Sequence, residues 1–74
     1  MGEKVRTFTA KELERLLARY GFTLVSQKGS HKKWRNYSTG RQVIVPFHSG
    51  KNIPIGTLRN ILENAAIPES EWKS

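Results

Sequence analysis

A histidine inside a basic stretch is the first candidate for chemistry in this chain. His31 follows the pair Gly29-Ser30 and precedes a run of cations and one aromatic residue at 32–35. Imidazole can accept or donate a proton near neutral pH, and neighbouring cations can hold a phosphate. RNA cleavage needs a base for the 2′-hydroxyl proton, an acid for the 5′-oxygen leaving group and cations for the developing charge. His31 is therefore a candidate acid-base residue; the alternative is a surface residue that only contacts a phosphate.

The charge distribution points to a polyanionic partner. The chain has 74 residues, a net charge of +7 and a pI near 10.3. Between Glu14 and Glu63 there is no acidic residue but there are nine basic ones. Nucleic acid is the first expectation, because a surface that only confers solubility intersperses both signs. The expected phosphate contacts are the polar groups around His31, namely Lys28, Ser30, Lys32, Lys33, Arg35 and Lys51.

The remaining candidate groups are fewer. His48 could be a complementary acid, or it could donate a hydrogen bond to a backbone carbonyl and hold its loop, and the second role is favoured. The Ser30 hydroxyl could be a turn group or a phosphate donor. The chain has no cysteine and no aspartate, so the usual zinc or two-metal ligand sets cannot be assembled and no cofactor is expected.

Turn residues and hydrophobic spacing place a helix at each end of the chain. Thr9 and Glu12 form a capping box, and apolar residues recur at helical spacing until Gly21 ends the first helix. Pro46 and a loop at 47–52 precede a second helix, whose start is expected between residues 53 and 57. The segment 69–74 is expected to form a short capping turn in which Trp72 folds back.

Three antiparallel strands are predicted between the helices, at 22–27, 31–37 and 41–45. We expect Trp34 to be a buried anchor of the second strand rather than a base-stacking group. A three-residue loop at 38–40, with Gly40 in the left-handed region, would pair Tyr37 with Arg41 and therefore His31 with Phe47. The same register would place His48 opposite Ser30.

The element order predicts a two-layer α+β fold, α-β-β-β-α, with both helices on one face of an antiparallel three-stranded sheet. This is the architecture of the double-stranded-RNA-binding domain. At this length we expect one domain over residues 1–74. There is no apolar run of about 20 residues and no signal-type segment, so we expect a cytoplasmic protein without a membrane partner.

Three motifs in order give the chain a close resemblance to the HicA toxins of HicA-HicB toxin-antitoxin systems. They are Gly29-Ser30-His31, Val45-Pro46-Phe47-His48 and the segment 56–62, GTLRNIL. The resemblance runs from Thr9 to about Trp72. It implies a small ribonuclease that cleaves mRNA, with the catalytic histidine at His31, and a HicB-type antitoxin that covers this region.

One residue departs from the family pattern. Ala66 stands where the family often has glycine after the last helix, and alanine is strained at positive φ, so we expect that helix to continue. The alternative to a toxin ribonuclease is a non-catalytic RNA-binding module of the same fold, for which the expected lysine-rich start of the last helix is missing. A DNA-binding regulator is disfavoured because there is no helix-turn-helix or basic recognition helix.

Overall fold

Two helices cover one face of a three-stranded antiparallel sheet in the computed structural model, which describes residues 4–73. The elements are, in chain order, α1 (Ala10–Arg19), β1 (Phe22–Lys28), β2 (His31–Asn36), β3 (Gln42–Pro46), α2 (Ile55–Asn64) and a 3₁₀ turn (Glu69–Glu71). The strand order is β1-β2-β3, so β2 is central. The predicted α-β-β-β-α fold is confirmed. No helix within residues 4–73 is long and apolar enough to cross a bilayer.

The start of α1 is determined locally, as predicted. The Thr9 hydroxyl accepts from the Glu12 N–H at 3.2 Å, and the Glu12 carboxylate accepts from the Thr9 N–H at 2.8 Å. These two bonds satisfy backbone donors that the first helical turn leaves free. Gly21 follows the helix with a φ of 90°, which a residue with a Cβ adopts only with strain.

One hydrophobic core lies between the helices and the sheet. Its buried members come from both helices and the two outer strands: Leu13, Leu16 and Leu17 of α1, Phe22 of β1, Val43 and Val45 of β3, and Leu58, Ile61 and Leu62 of α2. The C-terminal segment closes this core, because Trp72 is 1% exposed and its indole N–H donates to the Ile67 carbonyl at 3.2 Å. The predicted fold-back of Trp72 is confirmed; Ser74 lies outside the described residues.

The predicted register of the β2–β3 hairpin was wrong by one residue. His31 pairs with Pro46, not with Phe47, and Asn36 closes the loop with Arg41. The reason is the side chain of Asn36, whose oxygen accepts from the N–H groups of Ser38 and Thr39 at 2.8 and 3.2 Å. This Asx-type turn lengthens the loop to residues 37–40.

Asn36 also explains why this register is held. Its amide donates to the Tyr20 carbonyl at 3.0 Å, at the end of α1, and the residue is only 7% exposed. A buried amide requires such partners, so Asn36 must face the helices. A slip by one residue would turn it toward solvent and reverse every side chain of β2.

The prediction that α2 would continue through Ala66 was also wrong. The helix ends at Asn64, and Ala66 has a φ of 57°. The Ala66 N–H donates to the Glu63 carbonyl and the Ile67 N–H to the Leu62 carbonyl, which is the Schellman arrangement. The strain at Ala66 is offset because this turn directs Ile67, which is 4% exposed, into the core.

Candidate nucleic-acid interface

The face of the sheet away from the helices, here called the open face, carries His31 with two lysines. Directly paired residues of antiparallel strands share a face. Lys28 pairs with His31, Ser26 pairs with Lys33, and His31 and Lys33 are two residues apart on β2. Together with Ile44, these side chains line a groove of about 280 Å³, the His31 groove. The structure therefore brings Lys28, His31 and Lys33 to one place.

A tight turn and a β-bulge give the His31 groove its composition. Gly29, with a φ of 59°, and Ser30 form the two-residue turn that places Lys28 opposite His31. The register of β1 shifts at Val25, between Leu24 and Ser26. Without that extra residue the alternation of β1 would place Gln27 on the open face in place of Lys28. His31 itself is exposed, and its imidazole makes no hydrogen bond or ion pair with any described residue.

Ser30 lies in the turn between β1 and β2, and its backbone stabilises that turn. Its carbonyl accepts from the Phe47 N–H at 2.7 Å, which ties the turn to the chain leaving β3. Its side chain is exposed beside His31. The Ser30 hydroxyl makes no hydrogen bond with a described residue, so the turn is held by its carbonyl and the hydroxyl stays accessible to a ligand.

Lys32 lies on the opposite side of the sheet from His31, although the two residues are adjacent in sequence. Its ammonium forms an ion pair with Glu14 of α1 at 3.4 Å and lies 4.0 Å from the centre of the Phe47 ring. Both charged side chains are largely covered, at 19% and 11% exposure. The expectation that Lys32 belongs to the cations around His31 does not match this placement.

Trp34 lies on the same helix-covered side as Lys32. It is partly buried against the core, and its indole N–H donates to the second oxygen of Glu14 at 3.0 Å. Trp34 is therefore less buried than expected, but its side chain faces the core and not the open face. Glu14 links α1 to β2 by binding two neighbouring side chains of the central strand.

Arg35 continues the open face toward the other end of β2. It pairs with Thr23 and Gln42, and its guanidinium donates to the Gln42 side-chain oxygen at 3.4 Å. The guanidinium carbon is 5.2 Å from the centre of the Tyr37 ring. Sequence reasoning did not single out Tyr37; its alternation with Arg35 on the predicted strand 31–37 was the available signal.

His48 and Lys51 lie beyond the end of β3, next to the His31 groove but outside it. Both are exposed and line a separate groove of about 270 Å³ with Pro46, the residue that pairs with His31. The His48 carbonyl accepts from the Lys51 N–H at 3.2 Å. The expected bond from the His48 imidazole to a carbonyl is absent among the described residues, so that side chain does not hold the loop.

The acidic residues are kept away from the open face. None of the three strands contains an acid, and the described glutamates lie on α1, on α2 or in the C-terminal turn. Glu71 accepts hydrogen bonds from the Tyr20 hydroxyl and from Arg19, and these bonds lower the pKa of its carboxyl below the ordinary value. The open face therefore combines Lys28, Lys33 and Arg35 without a neutralising carboxylate.

This arrangement can bind an anion and exchange a proton at the same point. An imidazole between two ammonium groups can approach a phosphodiester that the ammonium groups hold. Across residues 4–73, no three histidine, cysteine or acidic side chains come close enough to share a metal ion. Sequence reasoning missed Ser26 and Ile44, which the bulge at Val25 and the observed β2–β3 register bring into the groove.

Comparison with known protein families identifies the family of this chain. A family model for the HicA toxin of bacterial toxin-antitoxin systems matches residues 10–67, from the start of α1 to the residue after the turn at Ala66. No match to an individual curated protein was found. The matched region contains all three strands, both helices and the whole His31 groove. The chain therefore belongs to the HicA toxin family and is the toxin component of a toxin-antitoxin system.

Proposed function

We propose that the protein is an endoribonuclease that cleaves mRNA without a metal ion, with His31 as its general acid-base residue. The observation that supports this most is the exposed imidazole of His31 between Lys28 and Lys33 on a sheet face without acids. Family membership supports it independently, because HicA toxins are known for ribonuclease activity. Cleavage of mRNA would arrest translation, and the protein would act in the cytoplasm.

The proposed reaction is a transesterification within the RNA. The 2′ oxygen attacks the neighbouring phosphorus while His31 takes the 2′ proton, and the bond from phosphorus to the 5′ oxygen breaks. The products are a 2′,3′-cyclic phosphate and a free 5′-hydroxyl, and the protonated imidazole can return its proton to the leaving oxygen. Lys28 and Lys33 stabilise the additional negative charge on the phosphate oxygens in the transition state.

The antitoxin is proposed to act by covering this site. A HicB-type partner that supplies acidic side chains to Lys28, Lys33 and Arg35 would compete directly with RNA. An interface of roughly 800 Å² per partner would take about a sixth of the 4899 Å² surface of this protein. We expect RNA and antitoxin to exclude each other in a competition assay; a ternary complex that cleaves at the normal rate would contradict the masking.

The test of the catalytic assignment is His31→Ala, assayed for cleavage of RNA in excess EDTA. We expect cleavage to fall by at least roughly 100-fold, the range of general acid-base catalysis, while the unfolding temperature is unchanged because His31 is exposed. His48→Ala is the matched control, since it removes an exposed imidazole outside the His31 groove, and it should retain most of the activity.

Two results would argue against the proposal. Cleavage by a folded His31→Ala protein at the parent rate would exclude His31. Binding of RNA by the parent protein without cleavage, under conditions where the fold is intact, would favour the alternative of a non-catalytic RNA-binding module. Analysis of the product ends separates the proposed reaction from a hydrolysis, because only the former leaves a 2′,3′-cyclic phosphate.

A further inference from the structure

Tyr37 is an aromatic side chain that the core does not use. It is 70% exposed, whereas Phe8, Phe22 and Trp72 are buried and Tyr20, Trp34 and Phe47 are partly buried against the core. Apart from Tyr37, no aromatic residue within 4–73 is exposed. Most of its ring surface is therefore open to solvent. An exposed aromatic ring that contributes nothing to the core is available for binding.

Arg35 holds this ring beside the open face. Its guanidinium lies 5.2 Å from the ring centre and donates to Gln42 at 3.4 Å, while its Nε is buried without a partner in the described part of the chain. The contact with Tyr37 and the bond to Gln42 restrict the long side chain of Arg35. Arg35 and Tyr37 thus form a partly ordered pair of planar groups, here called the Arg35–Tyr37 platform.

The platform and the His31 groove lie at opposite ends of the same strand. Arg35 lies four positions after His31 on β2, which is about 13 Å at the rise of a β-strand. Lys33 lies between them on the same face. The order along the strand is therefore imidazole, ammonium, guanidinium and aromatic ring. A single nucleic-acid strand a few nucleotides long could contact all of them.

We propose that the Arg35–Tyr37 platform is a base-stacking subsite for single-stranded RNA, a few nucleotides from the bond that is cleaved. This inference rests on the RNA substrate proposed above. Phosphates contact Lys28, Lys33 and Arg35, and an unpaired base stacks on the Tyr37 ring. A paired base in a duplex is already stacked on its neighbours and is not free to do this, so the subsite selects single strands.

Charge and chemistry favour RNA as the occupant of this face. Three cations without an acid on the strands complement a phosphate backbone, and an aromatic ring with a guanidinium is the combination that binds unstacked bases. A protein partner could also use Tyr37 as an anchor, because tyrosine and arginine are enriched at interface centres. The experiment below distinguishes these two occupants.

The test measures binding of a short single-stranded RNA in the His31→Ala background, so that the RNA remains intact. Tyr37→Ala should weaken binding by roughly 5- to 100-fold, the range for loss of one stacked base, without changing the salt dependence. Tyr37→Phe keeps the ring and should bind within about twofold of the parent. An RNA with one base removed at the stacked position should bind Tyr37→Ala and the parent equally well.

Unchanged RNA binding by Tyr37→Ala would overturn the inference. If this variant bound RNA normally but no longer bound the antitoxin, Tyr37 would belong to the protein interface instead. The result is independent of the catalytic assignment, because the assay involves no cleavage. If the parent cleaves RNA and Tyr37→Ala binds RNA normally, only the stacking subsite fails. If Tyr37→Ala loses RNA binding as expected but wild-type protein does not cleave, the subsite is supported and the proposed catalysis fails.

Discussion

Lys32 and Lys33 are adjacent in sequence but lie on opposite faces of the sheet, so their alanine variants should affect different properties. Lys33 borders the His31 groove, whereas Lys32 is paired with Glu14 against α1. We expect Lys33→Ala to weaken RNA binding and to reduce its salt dependence. Lys32→Ala should leave the salt dependence unchanged and lower the stability of the fold.

The expected change in salt dependence follows from the release of counterions. Each phosphate contact on a single strand contributes about 0.7 to the slope of log affinity against log salt. Loss of the Lys33 contact should reduce the slope by that amount. The factor by which a fourfold rise in salt weakens RNA binding should then be roughly three times smaller for Lys33→Ala than for the parent. Lys32 does not reach the open face, and its removal should change the slope by much less.

The expected change in stability follows from the burial of Glu14. Its side chain is 11% exposed, and without Lys32 its one remaining side-chain partner among the described residues is the Trp34 indole at 3.0 Å. Leaving a largely covered carboxylate without its cation should cost on the order of 1 to 2 kcal/mol. Lys33→Ala should stay within about 0.5 kcal/mol of the parent, since Lys33 makes no ion pair with a described residue.

Both properties can be measured on the same proteins. RNA binding is followed by fluorescence anisotropy at several salt concentrations in the His31→Ala background, and stability by urea unfolding observed through tryptophan fluorescence. Equal salt slopes for the two variants, or a lower slope for Lys32→Ala only, would refute the assignment of Lys33 to the RNA-binding face. Equal stabilities would refute the role of the Lys32–Glu14 pair.

The remaining predictions concern the C-terminal half of the fold. Ala66→Gly should stabilise the protein by about 1 kcal/mol in urea unfolding, because glycine adopts the φ of 57° without strain. Ala65→Gly is the control: Ala65 has a right-handed backbone, so glycine there should destabilise the protein by a similar amount. Stability should fall as the pH decreases from the ordinary glutamate pKa, about 4.3, through the lowered pKa of Glu71, since a depressed carboxyl pKa stabilises the fold only while the group is ionised. The hydrogen bond from the Tyr20 hydroxyl is the largest cause of that lowered pKa, and Tyr20→Phe removes it. Thermal unfolding measured at a series of pH values should therefore show a smaller loss of stability at acid pH for Tyr20→Phe than for the parent. An unchanged loss would show that it does not arise from the Tyr20–Glu71 bond.

Local interactions made several features predictable from the sequence. The capping box of Thr9 and Glu12 and the positive φ of Gly21 each depend on residues within one turn of the chain, so α1 was predicted correctly. The apolar spacing in both helices predicted which face of each helix is buried in the core. His31 was identified because its motif is a short contiguous segment at a turn. Its catalytic role, like the roles of the phosphate contacts, stays a prediction.

The hairpin between β2 and β3 shows where local reasoning fails. A three-residue loop ending in glycine is an acceptable turn, and nothing within 37–41 excludes it. The register is decided by Asn36, whose amide binds the Tyr20 carbonyl 16 residues earlier in the chain. Ala66 is a similar case, because the burial of Ile67 in the core offsets the strain of the Ala66 backbone.

The sequence by itself determined the fold class, the basic character and the histidine at the head of a strand, because composition, periodicity and contiguous motifs need no distant partner. Only the tertiary structure decided which cations accompany that histidine. The bulge at Val25 turns Lys28 onto the open face, and the Glu14 carboxylate on α1 pairs with Lys32 on the helix-covered side. Strand side chains alternate between faces, so a single inserted residue or a one-residue register shift changes which side chains meet a ligand.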